Sequence, residues 1–457
     1  MPLALKDKRV MVLGLGDTGL SALRWLKGQG ARLSVSDTRE APPGLKFVQE
    51  EMPEVSISLG TLQLDLLKAQ DVLVVSPGVP LATPEIQQAI TAGVEVVGDV
   101  ELFAQFRPAA AKVIAITGAN GKSTVTTLVG EMCKAAGLRT IVAGNIGLPV
   151  LDTLNDAPAD VYVLELSSFQ LEATHSLKVD AATVLNLSED HMDRYDDMAA
   201  YAAAKARIFQ SDGVQVLNRQ DSWSAGMALA GRAVVTFGEG PATTAQDFGL
   251  QQEAGETWLM QGTNKIIRTS ELKIAGLHNA VNALAALALC RAIGLNNEAL
   301  INTLRSFKGL PHRVEWVAEI NGVAFYDDSK GTNVGATCAA LHGLPQKVVL
   351  IAGGDGKGQD FSPLVEPVKS NARAVVLIGR DASVIENALR STGVPLLSAN
   401  SLEDAVDMAF TAAQPGDAVL LSPACASFDM FRNYVHRAEV FCTTVRAMAA
   451  VSEELAR

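Results

Sequence analysis

The fold is decided by the stretch Val113-Ile114-Ala115-Ile116-Thr117-Gly118-Ala119-Asn120-Gly121-Lys122-Ser123-Thr124. Its apolar run predicts a strand, and the glycine-rich turn leads into a helical pattern. Backbone N–H groups of such a turn face an anion, and the helix N-terminus adds a positive partial charge. Lys122 supplies a full charge, and the hydroxyl of Ser123 or Thr124 can hold Mg²⁺. The stretch therefore predicts a loop, Gly118 to Thr124, that binds the phosphates of ATP.

One position departs from the usual phosphate-binding loop. The full pattern has a glycine five residues before Gly121, where this chain has Ile116. The loop is therefore a variant that reads T-G-x-N-G-K-S. The alternative is a chance Gly-Lys-Ser turn, which the preceding strand and the following helix disfavour.

Strands alternate with helices on both sides of this loop, which predicts an α/β protein with mostly parallel sheets. We expect three α/β units in series, at 1–98, 99–309 and 310–457. The predicted strands are 9–13, 32–36, 72–75, 113–116, 161–164, 181–185, 323–326, 348–352, 374–378 and 418–421. The clearest predicted helices are 20–28, 123–136 and 276–291.

Composition excludes several classes of protein. Of the 457 residues 48% are hydrophobic and 19% charged, which is typical of a folded globular chain. The net charge of −12 argues against nucleic-acid and membrane-surface partners, because both are polyanions. Five scattered cysteines indicate reduced thiols in a cytoplasm. We expect no signal peptide and no membrane span, since the most apolar helical segment, 280–290, is too short.

A second glycine-rich turn follows the first strand. Gly14, Gly16 and Gly19 have the GxGxxG spacing, and Asp37 ends the next strand. Such glycines let a diphosphate approach the backbone, and the carboxylate accepts from ribose hydroxyls. Taken alone the pattern indicates NAD, but a UDP group offers the same diphosphate and ribose. A purely structural turn is the remaining alternative.

Acidic and imidazole groups follow the strands next to the phosphate-binding loop. Glu165 ends one predicted strand, and His191 lies in a polar segment after another. Together they could hold Mg²⁺. The alternative is a buried, hydrogen-bonded histidine and a helix-capping acid. Lys205 lies in a helical alanine-rich segment, where spacing alone predicts an ordinary solvated lysine.

The last third of the chain has three polar segments at predicted strand ends or turns. They are 310–313, 327–333 and 422–429, and their acid, cation and hydroxyl groups suit nucleotide sugar and phosphate contacts. Polar turns and tight helix–sheet packing are the alternatives. Lys357 could pair with a substrate carboxylate or be merely exposed. Cys425 is predicted to be a buried, unreactive thiol.

Read in order, these segments resemble one family over essentially the whole chain. The segments are TGANGKST, GNIG, ELSSFQLE, NLSEDHMDRY, YAAAKARIF, GLPHR, DDSKGTN, GGDGKG and SPACASFD. They resemble the Mur ligases, cytoplasmic ATP-dependent enzymes that build the peptide of peptidoglycan. The N-terminal GLGDTGLS with Asp37-Thr38-Arg39, the length and SPACASFDMF are most similar to members that add D-glutamate to UDP-N-acetylmuramoyl-L-alanine.

The resemblance implies a fold and a reaction. The fold has an N-terminal Rossmann-like domain for the UDP sugar, a central P-loop ATPase and a C-terminal Rossmann-like domain for the amino acid. A substrate carboxylate attacks the γ-phosphate of ATP to give an acyl phosphate. The amine of D-glutamate then attacks through a tetrahedral intermediate that expels phosphate. ATP, two Mg²⁺ ions, no NAD and a monomeric enzyme are expected.

The resemblance also implies roles for matched residues. Lys122 and the loop amides take the ATP phosphates, while Asn279 or Asn282, Arg313 and Asp328 contact base, phosphate and ribose. The metal ligands are Ser123 or Thr124, Glu165, His191 and Lys205, the lysine as a carbamate. The UDP-sugar contacts are Asp17, Thr18, Asp37, Thr38, Arg39, Gly78, Asn145 and Ser167. The D-glutamate contacts are Lys330, Thr332, Lys357, Ser427 and Tyr434.

Three other functions fit part of the sequence. A ligase for another Mur-type or folate substrate shares the TGxNGK loop. A nicotinamide-dependent oxidoreductase explains the first turn but leaves the phosphate-binding loop without a role. A non-enzymatic ATP-binding module leaves the strand-end acid, imidazole and the third unit without one.

Overall fold

The computed structural model describes residues 2–155, 157–274 and 276–455, in three α/β units. The first unit is a parallel five-stranded sheet in the order β3-β2-β1-β4-β5. Its elements are β1 (Arg9–Leu13), α1 (Asp17–Gly28), β2 (Arg32–Asp37), α2 (Leu45–Glu51), β3 (Ser56–Leu59), α3 (Leu64–Lys68), β4 (Val72–Val75), α4 (Pro84–Thr91), β5 (Glu95–Val97) and α5 (Asp99–Phe106).

Both faces of this sheet are covered, as its apolar strands predict. Alternate residues of β1 enter different cores: Val10 and Val12 join one buried cluster, and Met11 and Leu13 join another. The first cluster continues through α5 into the central unit. The first two units therefore share buried apolar contacts across their junction, and the unit limits stated above stay predictions.

The central unit has a parallel six-stranded sheet in the order β11-β10-β9-β6-β8-β7 and a small antiparallel sheet of β12, β13 and β14. Its strands are β6 (Lys112–Thr117), β7 (Thr140–Gly144), β8 (Val161–Glu165), β9 (Ala181–Val184), β10 (Val214–Asn218), β11 (Val234–Phe237), β12 (Phe248–Glu253), β13 (Glu256–Gln261) and β14 (Asn264–Arg268). Its helices are α6 (Lys122–Ala135), α7 (Ser168–Glu172), α8 (Met198–Ala206), α9 (Ser222–Gly226), α10 (Leu277–Ala292) and α11 (Asn297–Ser306).

The third unit has a six-stranded sheet in the order β15-β16-β20-β17-β18-β19, parallel except for β15. Its strands are β15 (Glu315–Ile320), β16 (Val323–Asp327), β17 (Val348–Gly353), β18 (Ala372–Ile378), β19 (Leu396–Ser398) and β20 (Ala418–Leu421). Its helices are α12 (Val334–Gly343), α13 (Val365–Asn371), α14 (Ala382–Leu389), α15 (Leu402–Ala412) and α16 (Tyr434–Leu455).

The strand order places the polar loops of each unit together. In the first sheet the chain crosses from one side of β1 to the other, so a crevice opens at the carboxyl ends of β1 and β4. In the central sheet β6 lies between β8 and β9, which brings the phosphate-binding loop beside Glu165. No helix in the described part of the chain is long and apolar enough to cross a membrane.

The predicted strands are confirmed to within two residues, and the three predicted helices to within three. The helix α1 begins at Asp17 rather than Leu20, and α6 begins at Lys122 rather than Ser123. In both cases the helix begins at the glycine turn itself, so the turn's last N–H groups belong to the first helical turn. The antiparallel sheet of β12–β14 was missed, because its strands are short and half-exposed.

Candidate active site

The predicted phosphate-binding loop joins β6 to α6. Gly121 caps the helix at φ +82°, and a side chain there would come within 2.6 Å of the Asn282 Oδ1 atom. A residue other than glycine would therefore meet both strain and collision. The Lys122 Nζ atom donates to the carbonyl oxygens of Gly118 at 2.9 Å and Ala119 at 2.8 Å. The ammonium thus lies over the concave side of the turn.

Asn186 braces this loop, a role that the sequence did not reveal. Its backbone oxygen accepts from the Ala119 N–H at 2.8 Å, and its Oδ1 accepts from the Asn120 N–H at 2.9 Å. Its Nδ2 donates to the Asn120 carbonyl at 3.0 Å. The only signal was its place directly after β9, which becomes informative once β9 is known to pair with β6.

Glu165 presents a carboxylate oxygen suited to a cation. The side chain is 2% exposed, and its Oε1 accepts from the Asn145 Nδ2 at 2.7 Å. Its Oε2 is buried and has no hydrogen-bond partner among the described residues. A buried carboxylate oxygen is costly without a partner, so this donor fits a Mg²⁺ ion beside the loop.

Lys205 is buried, which corrects the interpretation that its local sequence favours. The side chain is 2% exposed, and Nζ donates to the Gly118 carbonyl at 3.0 Å and lies 3.3 Å from the Thr117 Oγ1. Burial, with the nearby Lys122 charge, lowers the pKa of Lys205 well below its ordinary value. The small side chains of α8 allow the helix to approach the loop closely. The same alanine-rich sequence would also suit a solvent-exposed helix, so it did not predict the burial of Lys205.

His191 lies in the segment between β9 and α8 and has a positive φ of 58°. Its ring packs edge-on against Phe169 at a centroid distance of 4.8 Å. Burial lowers its pKa, the Asp190 carboxylate opposes that effect, and the positive charge of Lys357 adds to it. A neutral imidazole is the form that binds a metal ion. Lys357 belongs to the third unit, so that unit faces this site.

The second and third units meet over the loop. Arg313 donates to the Ser123 Oγ at 3.2 Å, and the Asn333 amide donates to the Asn120 Oδ1 at 3.2 Å. Between them lies a small cavity of 60 Å³. Its lining includes the predicted ATP contacts Asn120, Gly121, Thr124, Asn279, Asn282, Arg313 and Asp328. The structure therefore brings together predicted nucleotide contacts that are more than two hundred positions apart in the sequence.

Asp328 is buried in the wall of this cavity. Its Oδ2 accepts from the Ser422 Oγ at 2.7 Å. Burial raises the pKa of Asp328 to about 7, although the Ser422 hydrogen bond and the Arg313 charge act in the opposite direction. Such a carboxyl group can accept from or donate to the ribose hydroxyls that we assign to it.

His278 also lines the cavity, and its burial is expected to make the protein less stable in acid. Its ring lies between Gly276 and Gly343, its Nδ1 has no hydrogen-bond partner among the described residues, and burial lowers its pKa to about 4. The unfolded chain takes up this proton near pH 6.5 and the folded chain only near pH 4, so stability is lost as pH falls between these values. The expected loss is about 2 kcal/mol at pH 5.

The measurement is the thermal-unfolding temperature of the central unit at pH 7 and pH 5. The decrease should be smaller in His278→Gln than in the wild type. His342→Gln, at an exposed histidine of α12, is the control and should keep the full decrease. Equal decreases in all three proteins would contradict the assignment.

A cavity of 680 Å³ opens at the carboxyl ends of β1 and β4, as the strand order predicts. Its lining includes seven predicted UDP-sugar residues, which are Asp17, Thr18, Asp37, Thr38, Arg39, Gly78 and Asn145. The eighth, Ser167, instead caps α7 through the Gln170 backbone N–H, and Gln170 lines the cavity. The predicted substrate contact of Ser167 stays a prediction.

Asp37 holds the first glycine turn instead of presenting a free carboxylate. Its Oδ2 accepts from the Leu15 N–H at 2.7 Å, and both oxygens accept from the Arg39 guanidinium. Burial acts to raise its pKa, but the hydrogen bonds from Arg39 and Leu15 lower it to about 2. A side chain at Gly19 would come within 2.0 Å of the Gly14 oxygen. The Asp37 carboxylate holds the turn and Arg39 in place. This structural role is better supported by its contacts than the predicted direct contact with a ribose.

The predicted amino-acid contacts come from the third unit. The Lys330 Nζ lies 3.8 Å from the centroid of the Tyr434 ring. Tyr434 is the first residue of α16. Ser427 is buried behind the loop after β20, and Thr332 lies half-buried in the loop after β16. Lys357 is exposed with a positive φ of 51°. These loops end neighbouring strands of one sheet, so they form one edge of the site.

Arg437 organises that edge and was missed in the sequence. It is 1% exposed and donates to the Ser329 Oγ, the Ser329 carbonyl and the Cys425 carbonyl at 2.8–3.2 Å. It thereby joins the loops that follow β16 and β20. The signal was its position three residues after Tyr434, on the same face of a helix. Cys425 is buried, as predicted, and burial raises its pKa to about 12, which disfavours the reactive thiolate.

Family models match three consecutive parts of the chain. They describe a Mur ligase MurD-like N-terminal domain at residues 8–98, a Mur ligase middle domain at 116–290 and a Mur ligase glutamate ligase domain at 312–425. Each match falls within one of the three units. The predicted resemblance is confirmed.

Relatives are similar over nearly the full length. The UDP-N-acetylmuramoylalanine--D-glutamate ligase of Methylobacillus flagellatus is 67% identical and covers 97% of this chain and 98% of its own. The ligase of the same name from Thiobacillus denitrificans is 58% identical and covers 98% of each. MurF from Acinetobacter baumannii shares the fold, with a TM-score of 0.60 at 17% identity over 95% of this chain and 93% of its own. This chain belongs to the Mur ligase family.

Proposed function

We propose that this ATP-dependent ligase of the Mur class joins D-glutamate to UDP-N-acetylmuramoyl-L-alanine during peptidoglycan precursor synthesis in the cytoplasm. We propose further that it acts as a monomer, with neither a membrane nor a nucleic acid as partner. The observation that carries the proposal is the place of Asn145. It lines the large cavity of the first unit, and its amide donates to Glu165 at 2.7 Å beside the phosphate-binding loop.

Because Asn145 joins the cavity to the phosphate-binding loop, each end of the cavity can be given a role. Arg39 and the turn at Gly14 hold the UDP group, and the acyl end of the substrate reaches Asn145. The substrate carboxylate then attacks the γ-phosphorus of ATP, ADP leaves, and an acyl phosphate forms. The amine of D-glutamate attacks the acyl carbon, and the tetrahedral intermediate expels phosphate. Lys122 turns from its loop carbonyls to the phosphates, which it neutralises.

The residues beside the loop fit a Mg²⁺ ion, because the buried Glu165 Oε2 has no hydrogen-bond partner among the described residues and a cation would provide a partner. Glu165, His191 and the hydroxyl of Ser123 or Thr124 would hold it, and we propose two ions. When bound, Mg²⁺ neutralises phosphate charge that otherwise repels the substrate carboxylate. Arg313 donates to Ser123 and keeps that hydroxyl at the loop.

We propose that Lys205 carries a carbamate. The lowered pKa favours the neutral amine, which is the form whose nitrogen attacks CO₂ with loss of a proton. Carbamylation turns this amine, which would repel Mg²⁺ if protonated, into an anionic oxygen ligand. The new negative charge also attracts the nearby Lys122 ammonium.

A phosphate-release assay tests the proposed function. Release should require both UDP-N-acetylmuramoyl-L-alanine and an amino acid, and D-glutamate should exceed L-glutamate and other amino acids of both chiralities. Release that does not depend on D-glutamate would overturn the proposal. Product formation with a longer UDP-muramyl peptide or a folate would instead support a sibling ligase.

Asp37→Asn should raise the KM for the UDP substrate about tenfold and change kcat little, because it weakens the hydrogen bonds that hold the Gly14 turn and Arg39, which line the cavity. Initial rates at saturating ATP measure both constants. Asp71→Asn is the matched control, since Asp71 pairs with Arg9 at the opposite end of the same sheet. An unchanged KM in Asp37→Asn would show that this turn does not bind the substrate.

A further inference from the structure

A histidine–aspartate pair lies at the edge of the third unit. The His312 Nδ1 is 2.6 Å from the Asp327 Oδ2, and Asp327 is 0% exposed. An ionised carboxylate only accepts hydrogen bonds, so Nδ1 carries the proton. The neutral ring then has its lone pair on Nε2. Among the described residues, Nε2 has no hydrogen-bond partner, and the side chain is 22% exposed.

Both members of the pair are fixed by their surroundings. Asp327 Oδ1 accepts from the Ser329 N–H at 2.9 Å, and Oδ2 also accepts from the Cys442 thiol at 3.7 Å. The His312 backbone has a φ of 62°, and its N–H donates to the Glu315 carboxylate at 2.9 Å. A base held in this way needs little reorganisation when it acts.

The imidazole is part of the wall that we assign to the amino acid. Its ring packs edge-on against Tyr434 at a centroid distance of 6.2 Å, and the same Tyr434 ring lies under the Lys330 Nζ. The Lys330 N–H also donates to the His312 carbonyl at 3.2 Å. His312 therefore lies between Arg313, on the ATP side, and the two residues assigned to D-glutamate.

We propose that His312, oriented by Asp327, is the general base that prepares the incoming amino acid for attack. Amino acids arrive with an ammonium group, which has no lone pair and cannot form an amide bond. Nε2 takes one proton from this ammonium and becomes an imidazolium that Asp327 stabilises. The freed amine lone pair attacks the acyl carbon and the C–O bond to phosphate breaks. The nitrogen passes its second proton to the departing phosphate, and the imidazolium releases the first proton to solvent.

Two other roles for these residues are less consistent with the contacts. His312, Glu315 and Asp327 each offer a ligand atom within 4.8 Å of the others, which is the spacing of a metal site. However, the 2.6 Å hydrogen bond already occupies Nδ1, and a Glu315 oxygen is bonded to a backbone N–H. A purely structural role would use only the Nδ1 hydrogen bond to Asp327. It would not account for the unpartnered Nε2 of a side chain that is partly open to solvent.

The test separates the two chemical steps and rests on the proposed function. Acyl-phosphate formation is followed as scrambling of a β,γ-bridging ¹⁸O label in ATP, with UDP-N-acetylmuramoyl-L-alanine and no amino acid. Amide formation is followed in a single turnover with D-glutamate. In His312→Asn, whose amide can still donate to Asp327, scrambling should stay within about threefold and amide formation should fall about 10²–10⁴-fold. Added imidazole should partly restore amide formation in His312→Gly.

Each other outcome has a distinct meaning. Normal amide formation in His312→Asn would overturn the proposal that His312 is the general base, and would leave it only a positioning role. Equal losses in both steps would also overturn it, because His312 would then act through Arg313 and the ATP site. Loss of amide formation on treating the wild type with a zinc chelator would indicate a metal site instead. Absence of scrambling in the wild type would refute the proposed function, independently of His312.

Discussion

Lys205→Met is expected to reduce ligase turnover about a thousandfold or more while the protein keeps its fold. A methionine fills the space of the buried stem but cannot form a carbamate, so an anionic ligand beside the phosphate-binding loop is lost. Metal ligation contributes several kcal/mol of transition-state stabilisation, which corresponds to this factor in rate. Both Lys205 partners keep another hydrogen bond, Gly118 from Lys122 and Thr117 to Leu166, so stability should change little.

Initial rates and thermal unfolding, measured on the same preparations, check this expectation. Lys178→Met, at an exposed lysine of the same unit, is the control and should match the wild type in both. Turnover of Lys205→Met within a few-fold of the wild type would show that the buried amine has only a structural role. A large loss of thermal stability would leave the rate uninformative, and Lys205→Gln would then repeat the test with a polar head group.

Lys122→Met is expected to have a comparable effect by a different route. The substitution removes the full positive charge that faces the phosphates and leaves the loop backbone in place, since Asn186 holds the loop independently. Isotope scrambling in ATP should fall about a thousandfold, because positioning and charge neutralisation provide most of the catalysis of phosphoryl transfer. Lys134→Met, in the last turn of the same helix, is the control.

A titration with a fluorescent ATP analogue distinguishes binding from chemistry in this variant. Loss of scrambling with little change in affinity would mean that Lys122 acts mainly on the transition state. Scrambling close to the wild-type rate would contradict the assignment of this loop to the ATP phosphates.

The sequence predicts the parts of this molecule whose signal is local. The loop at Gly118 to Thr124 combines a strand, a turn and a helix start within twelve residues, and the alternation of strands and helices indicates the fold class. Edge strands such as β7 and β19 were missed, because their apolar runs are short and partly exposed. Their pairing depends on neighbours far away in the sequence.

Long-range contacts explain the rest of what the sequence did not reveal. The burial of Lys205 depends on how closely α8 approaches the loop, and a run of alanines does not specify that distance. Asn186 and Arg437 acquire roles only through the neighbours that the sheet order gives them. The family resemblance assigned a role to Lys205, whereas the structure supplies a physical reason for it in the buried neutral amine.

The small cavity that we propose for ATP is lined by residues of two units, since Gly121 and Asn282 come from the central unit and Arg313 and Asp328 from the third. If it holds ATP as proposed, the affinity for ATP and the angle between these units are thermodynamically linked, and each influences the other by the same factor. A compound that holds the third unit away from the loop would then weaken ATP binding without touching any atom of that pocket. It would resemble a competitive inhibitor in kinetics while binding elsewhere on the protein.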